Sequence, residues 1–122
     1  MKIYRAHSTK ESEDPEHRLF EAMTMIRTPE EAKKFFQDLC TPMEIQAMAD
    51  RWRVVDSIKK GKPYRQIYDE TGVSVTTVGR VARCIMLGEG GYNLIYERIE
   101  KKTHESNSKT KNSNTKKRAS KQ

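Results

Sequence analysis

The sequence predicts an all-α protein of six helices. All four prolines stand where a helix could begin, and five of the six glycines stand where one could end. Proline is tolerated in a first helical turn because its missing N–H has no intrahelical partner there. Glycine readily takes the left-handed conformation that closes a helix. No segment of useful length alternates apolar and polar residues in the manner of a half-buried strand.

The first three predicted helices begin at prolines. Before the second and third stands a threonine, Thr28 or Thr41, and a glutamate follows at the third helical position, which is the pattern of a capping box. The third helix is the longest, because apolar residues recur at helical spacing from Ile45 to Ile58 before Gly61 stops it. The predicted ranges of these helices are 15–26, 29–39 and 42–60.

The last three predicted helices are separated by glycines. The fourth runs over 63–70 and is closed by Gly72. The fifth begins after Ser74, which is placed to cap it, and ends near Gly88. The sixth starts after Gly91, at the end of the glycine-rich link that follows the fifth helix.

The positive charge of the chain lies in its last residues. Lys and Arg number 24 against 17 Asp and Glu, which gives a formal charge of +7. Residues 101–122 contain eight cations and one anion, so the residues before them carry no net charge. This tail has one apolar residue, Ala119, and cannot bury enough surface to offset chain entropy. The predicted organisation is a flexible arm over 1–14, a helical domain over 15–102 and a disordered basic tail over 103–122.

Several classes of protein are excluded by what the sequence lacks. No apolar run approaches the ~20 residues that span a membrane, and the first residues lack the apolar stretch of a secretory signal. We therefore expect a cytoplasmic protein, with Cys40 and Cys84 kept as thiols. No His and Cys cluster has metal-ligand spacing, and no constellation suits catalysis. The sequence thus predicts no metal site and no enzyme.

The strongest functional signal is a helix-turn-helix over 63–87. Gly72 supplies the residue of positive φ that the tight turn needs. Apolar side chains fall where the two helices would pack, at Ile67, Val73, Val78 and Val81. Such a hairpin also occurs in helical domains that bind no DNA. Here, however, the outer face of the second helix is built from small residues and arginines, which favours DNA binding.

The predicted DNA contacts form two sets. The residues predicted to cap the recognition helix or face the major groove are Ser74, Val75, Thr76, Gly79, Arg80 and Arg83. The cations predicted to meet phosphate are Lys59, Lys60, Lys62 and Arg65. Gly79 costs ~1 kcal/mol relative to alanine in mid-helix, which indicates close approach of DNA or, alternatively, close helix packing. Tyr68 fits poorly, because many such motifs have alanine at this point of the helix crossing.

Three stretches of the chain carry a family resemblance. They are KKFFQDLCTPMEIQAMADRWRVVDSIKKGKPY, the helix-turn-helix and RCIMLGEGGYNLIYERI, and the match around them covers about residues 16–100. They resemble the Trp-repressor-like family, in particular the Trp-repressor-related proteins of the YerC/YecD family. The resemblance implies an interwound, all-helical homodimer whose fourth and fifth helices project as a DNA-reading head. Such a dimer reads two half-sites about one helical turn apart on a palindromic operator.

The resemblance also implies where an effector would bind. The ligand-contacting threonines and arginines of the tryptophan-binding repressors match Thr41, Arg51, Thr77 and Arg80. Val81 replaces the small glycine beneath the indole, and Cys84 replaces the serine that holds the ligand's amino group. Both differences argue against tryptophan as co-repressor, and no cofactor is predicted. The arginines have another explanation, since they could contact phosphate or pair with Asp50 or Asp56.

The sequence therefore predicts a homodimeric, sequence-specific transcriptional regulator, in the first place a repressor, with double-stranded DNA and a second copy as partners. Two alternatives remain open. One is a helical interaction module or a protein that binds DNA or RNA without sequence preference through its tail. The other is an origin-binding or architectural DNA-binding protein.

Overall fold

The computed structural model describes the backbone of residues 14–120 and the side chains of residues 14–108. Within this part of the chain all regular elements are α-helices, which confirms the predicted fold class. The predicted flexible arm lies outside the described residues except for Asp14. The helices are α1 (Pro15–Met23), α2 (Pro29–Leu39), α3 (Pro42–Arg53), α4 (Val55–Lys59), α5 (Tyr64–Thr71), α6 (Val75–Leu87) and α7 (Gly91–Ser120).

The predicted capping boxes begin α2 and α3. Thr28 Oγ1 accepts a hydrogen bond from the backbone N–H of Glu31 at 3.1 Å, and the Glu31 carboxylate reaches back to the N–H of Arg27 at 3.0 Å. Thr41 and Glu44 form the reciprocal pair, with distances of 3.2 and 2.8 Å between side-chain oxygens and backbone nitrogens. These bonds satisfy N–H groups that have no partner inside the helix.

Two helix boundaries differ from the prediction. α1 ends at Met23, before the predicted end at residue 26. The predicted third helix is interrupted at Val54, where φ is −90° and ψ is −7°, and it continues as α4. Val54 and Val55 are both buried, and two successive β-branched residues are restricted in χ1. The helix is therefore interrupted at the point where both valine side chains enter the core.

The last helix extends beyond the predicted domain end at residue 102. α7 continues to Ser120, through most of the segment for which the sequence predicts a disordered tail. All side chains from Glu97 to Ser108 are exposed. A helix without tertiary packing is only marginally stable in water. Disorder of residues 103–122 in solution therefore stays a prediction.

The described chain divides into two compact units, with the boundary between Ile45 and Gln46. In the first unit no described side chain is fully buried. Its apolar side chains are half-buried at Leu19, Met23, Ile26, Ala32, Phe35 and Phe36. Leu39, at the end of α2, is exposed.

The core of the second unit is the valine cluster, which we define as Val54, Val55, Ile67, Val73, Val78 and Val81. Its members come from the α3–α4 junction, from α5, from the turn and from α6, and each is at most 5% exposed. Burying a side chain of this size contributes roughly 1.5–3 kcal/mol. The four apolar residues predicted to pack the helix-turn-helix are thereby confirmed as core.

Apolar residues at helical spacing in α3 and α7 remain partly open to solvent. Met48 and Trp52 of α3, and Leu94, Ile95 and Ile99 of α7, are between 38% and 47% exposed. Trp52 stacks on Tyr92, with ring centroids 6.3 Å apart. Within the residues that the structure describes, much of the apolar stripe of α3 and α7 is thus uncovered.

A polar contact joins α4 to α7. The Tyr96 hydroxyl donates to Asp56 Oδ1 at 2.6 Å, and Lys60 Nζ lies 2.9 Å from Asp56 Oδ2. The hydrogen bond from Lys60, and to a smaller extent the one from Tyr96, lowers the pKa of the Asp56 carboxyl. The bond to Asp56 raises the pKa of Tyr96 to about 12.

We expect Tyr96→Phe to remove a late step from the tyrosine titration. Because the folded pKa of Tyr96 lies above its ordinary value of 10.0, the neutral phenol stabilises the fold below pH 10 and loses that effect as pH rises through about 12. The thermal midpoint of the variant should be lower at pH 7 and approach that of the wild type at high pH. Tyrosinate absorbance measures the step, which the control Tyr68→Phe should retain. A step that survives in Tyr96→Phe would contradict the assignment.

Candidate nucleic-acid interface

The turn between α5 and α6 is held by local hydrogen bonds. Gly72 has φ +78°, the left-handed conformation that its place in the turn requires. Thr71 Oγ1 donates to the Ile67 carbonyl at 2.7 Å and accepts from the Val73 N–H at 3.1 Å. Arg53 of α3 donates to the Thr71 carbonyl at 3.3 Å. The turn is thus fixed both from within and from the helix behind it.

Ser74 begins the recognition helix, α6. Its Oγ accepts from the Thr77 N–H at 3.1 Å and donates to Thr77 Oγ1 at 3.1 Å. This confirms the predicted cap, a contribution of ~1 kcal/mol to helix stability. Ser74 itself remains exposed at the start of the helix.

The two faces of α6 have different composition and burial. Val78, Val81 and Ala82 point into the core, whereas the predicted groove-facing residues Val75, Thr76, Arg80 and Arg83 are exposed. Neither Arg80 nor Arg83 forms an ion pair or hydrogen bond with any residue that the structure describes. Both guanidinium groups are therefore available for a ligand outside the chain, and Arg can donate to guanine or to phosphate.

Gly79 lies half-buried beside the ring of Tyr64. A Cβ atom built on Gly79 would be 3.9 Å from Tyr64 Cε2, an ordinary van der Waals distance. Packing within the described chain therefore does not require glycine here. Tyr68, which the sequence places at the helix crossing, is 47% exposed, and the aromatic ring beside Gly79 is that of Tyr64. Sequence reasoning missed Tyr64, because its only signal is its position at the start of α5.

Two of the predicted phosphate-binding lysines are paired with carboxylates of their own chain. Lys60 lies 2.9 Å from Asp56, which raises the pKa of Lys60. Lys62 lies 2.8 Å from Glu70, which also accepts a hydrogen bond from Gln66. The bond from Lys62 lowers the pKa of Glu70. Exposed pairs of this kind contribute little to stability, so phosphate could compete for either lysine.

The other two predicted phosphate ligands differ from each other. Arg65 is highly exposed and has a long contact of 4.0 Å to Asp69. Lys59 donates to the side-chain oxygen of Asn93 and lies over the ring of Tyr96, 5.2 Å from its centroid. Arg65 is therefore the most available of the four cations, whereas Lys59 is engaged with α7.

Comparison with known proteins agrees with this geometry. The sequence model of the family described as "Trp repressor protein" matches residues 16–100. The chain belongs to the Trp repressor family. Members of this family are DNA-binding regulators, and the resemblance seen in the sequence is confirmed.

Three proteins from bacteria are similar to this Trp repressor family member. It is 38% identical over 91 residues to the uncharacterised protein YerC of Bacillus subtilis (strain 168), covering 75% of this chain and 88% of YerC. A crystal structure of a candidate Trp repressor from Staphylococcus aureus has a TM-score of 0.67 and 37% identity, covering 70% of this chain and 86% of that one. A TrpR-like protein from Eubacterium eligens ATCC 27750 has a TM-score of 0.67 and 31% identity, covering 73% and 93%.

In this Trp repressor family protein the predicted effector residues have local roles. The Thr41 hydroxyl caps α3, and that of Thr77 bonds with Ser74. Val81 is fully buried in the valine cluster, and Cys84 is half-buried. The effector pocket, including Arg51 and Arg80, stays a prediction.

The described residues contain neither a metal-binding cluster nor a membrane-spanning helix. Between residues 14 and 108, no group of three or more His, Cys, Asp and Glu side chains is arranged to hold a metal ion. None of the helices described combines the length and the apolar character that crossing a membrane requires.

We expect Gly79→Ala to stabilise this Trp repressor family protein and weaken its binding to DNA. Alanine should raise the free energy of unfolding by up to ~1 kcal/mol, because it favours helix and its Cβ finds room beside Tyr64. Its methyl group would obstruct a closely approaching duplex. Urea unfolding and duplex titration measure the two effects. Gly91→Ala, at the start of α7, is the control. Unchanged DNA affinity in Gly79→Ala would contradict close approach.

Proposed function

We propose that the protein is a homodimeric, sequence-specific transcriptional regulator that represses from a palindromic operator. One observation carries the proposal: α6 presents Arg80 and Arg83 on an exposed face, without partners in the described chain, while its other face is fixed in the core. Rigid support and unpaired donors are what base readout in the major groove needs. The proposal includes a cytoplasmic, nucleoid-associated protein without enzymatic activity.

The exposed apolar side chains support the homodimer. Trp52 and Ile99, with Tyr96, line a groove of about 280 Å³ between the α3–α4 segment and α7. Burying such a surface in a dimer would stabilise the dimer by roughly 25 cal/mol per Å² of apolar area removed from water. A second copy would cover the apolar stripe of α3 and α7. It would also place two recognition helices to read half-sites about one helical turn apart.

The cations around the helix-turn-helix support a separation of roles. Arg80 and Arg83 would read bases, with Val75 and Thr76 beside them. Arg65 would contact phosphate directly, and Lys60 and Lys62 would do so by exchanging their carboxylate partners for phosphate. Phosphate contacts position a protein on the duplex without selecting a sequence.

Arg80→Ala and Lys60→Ala should separate base reading from phosphate binding. We expect Arg80→Ala to cost about 1–3 kcal/mol on the preferred site and to relax base preference, whereas Lys60→Ala weakens all sequences about equally. The test selects a preferred duplex from a random library with the wild type, and then measures footprints and affinities on that duplex and on random DNA.

Lys33→Ala, an exposed cation of α2, serves as the charge-matched control. Symmetric protection of a palindrome supports the proposal. Equal loss on preferred and random duplexes in Arg80→Ala would refute base reading by this residue.

Deletion of residues 104–122 should flatten the salt dependence of DNA binding. The deleted segment contains six cations, which attract phosphate without selecting a sequence. We expect lower affinity at low salt, a smaller slope against log salt concentration, and the same preferred duplex. A changed sequence preference after the deletion would show that the tail reads bases.

The basic tail favours one competing function, a nucleic-acid-binding module without sequence preference. In that case the wild type would retain any duplex or RNA with the same steep salt dependence, and selection would yield no palindrome. The footprint of the selected duplex distinguishes this function from the regulator.

Tryptophan is not the co-repressor in this proposal. The fully buried Val81 would fill the place of the indole, and Cys84 is a poor partner for an ammonium group. Isothermal titration of the purified dimer should give no binding heat at about millimolar tryptophan, a concentration at which even ligands of weak affinity bind measurably. A saturable heat would overturn this part of the proposal.

A further inference from the structure

The link between α6 and α7 has a conformation that depends on glycine. A Cβ atom at Gly88 would lie 2.5 Å from the Cys84 carbonyl oxygen, which no side chain could tolerate without a shift of the backbone. Gly90 has φ +87°, in the left-handed region that favours glycine. The direction in which the chain leaves the recognition helix is therefore specific.

Asn93, in the first turn of α7, contacts both neighbouring helices. Its Nδ2 donates to the Ile85 carbonyl of α6 at 3.0 Å, and its Oδ1 accepts from Lys59 Nζ of α4. Ile85 is among the last four residues of α6, whose carbonyls lack partners inside the helix. Asn93 thus caps the end of the recognition helix from a different element.

The chemistry of the amide fixes its orientation. Its nitrogen can only donate and its oxygen can only accept, so the nitrogen must face the carbonyl and the oxygen must face the ammonium. Lys59 is placed by a second contact with the ring of Tyr96.

Apolar packing alone gives α6 no directional contact. Val78 and Val81 hold the middle of the helix and Ile85 packs against the same cluster nearer its end, but such packing has no directional preference. The bond to the Ile85 carbonyl is directional and lies nearer the C-terminal end. Two attachments at different points along one helix restrict its rotation about either one.

We propose that Asn93 is a positioning residue that fixes α6 on α4 and α7 and thereby sets the half-site spacing that the dimer reads. The inference rests on the proposed function for its second part. It also gives Lys59 a role within the chain in place of the predicted phosphate contact.

The first test needs no DNA. Hydrogen exchange of the full chain compares Asn93→Ala and Asn93→Asp with Asn107→Ala, which changes an exposed asparagine of the same helix. Both Asn93 variants lose the donor to Ile85, and the aspartate keeps an acceptor for Lys59. For both variants we expect amide exchange in the last turn of α6 to be about tenfold faster than in the wild type. The control should exchange at the wild-type rate. Unchanged exchange in the Asn93 variants would overturn the inference.

The second test measures half-site spacing. On the duplex selected by the wild type, the half-sites are moved by one base pair in either direction. The wild type should lose about tenfold in affinity, and Asn93→Ala should lose much less from the same change while binding random DNA within about twofold of the wild type. Equal loss by Asn93→Ala at every spacing would indicate a merely structural residue and overturn the spacing role. If the wild type selects no palindrome, the proposed function and the spacing role fall together, whereas hydrogen exchange still decides the attachment.

Discussion

Burial of Val54 and Val55 against the helix-turn-helix is the interaction on which the second unit depends. The two valines stand at the α3–α4 junction, and Ile67, Val78 and Val81 complete the cluster with them. Helices as short as α5 and α6 are not stable alone in water, so their arrangement comes from this packing. The outward direction of the arginines on α6 follows from the inward direction of the valines on the same helix.

Local signals explain what the sequence predicts well. The caps at Thr28, Thr41 and Ser74, and the left-handed Gly72, depend on residues within one turn of each other, and each is found as expected. The exposed face of α6 also follows from helical periodicity once Val78 and Val81 are placed inside. Local pattern is therefore enough to predict the caps, the turn and the exposed face of the helix-turn-helix, although tertiary packing holds its helices together.

Contacts between distant residues explain what the sequence does not predict. Tyr96 and Asp56 are 40 positions apart, and Asn93 and Lys59 are 34 apart, so no periodicity joins them. The interruption at Val54 depends on tertiary packing, which overrides the helical pattern of the segment. Trp52 and the apolar residues of α7 obey that pattern but stay half exposed, because hydrophobic periodicity does not specify whether the covering surface belongs to the same chain.

On the proposed function, Lys60 and Lys62 would approach a duplex already neutralised by Asp56 and Glu70. When a phosphate displaces either carboxylate from its lysine, the carboxylate stays close by. At distances below the Debye length its negative charge repels the DNA backbone. On the proposed function, the folded domain is therefore weakly held at wrong sequences and leaves them quickly. The basic tail then keeps the protein near DNA, while the folded domain selects the sequence. The time that the protein spends on the chromosome and its sequence preference can therefore change independently.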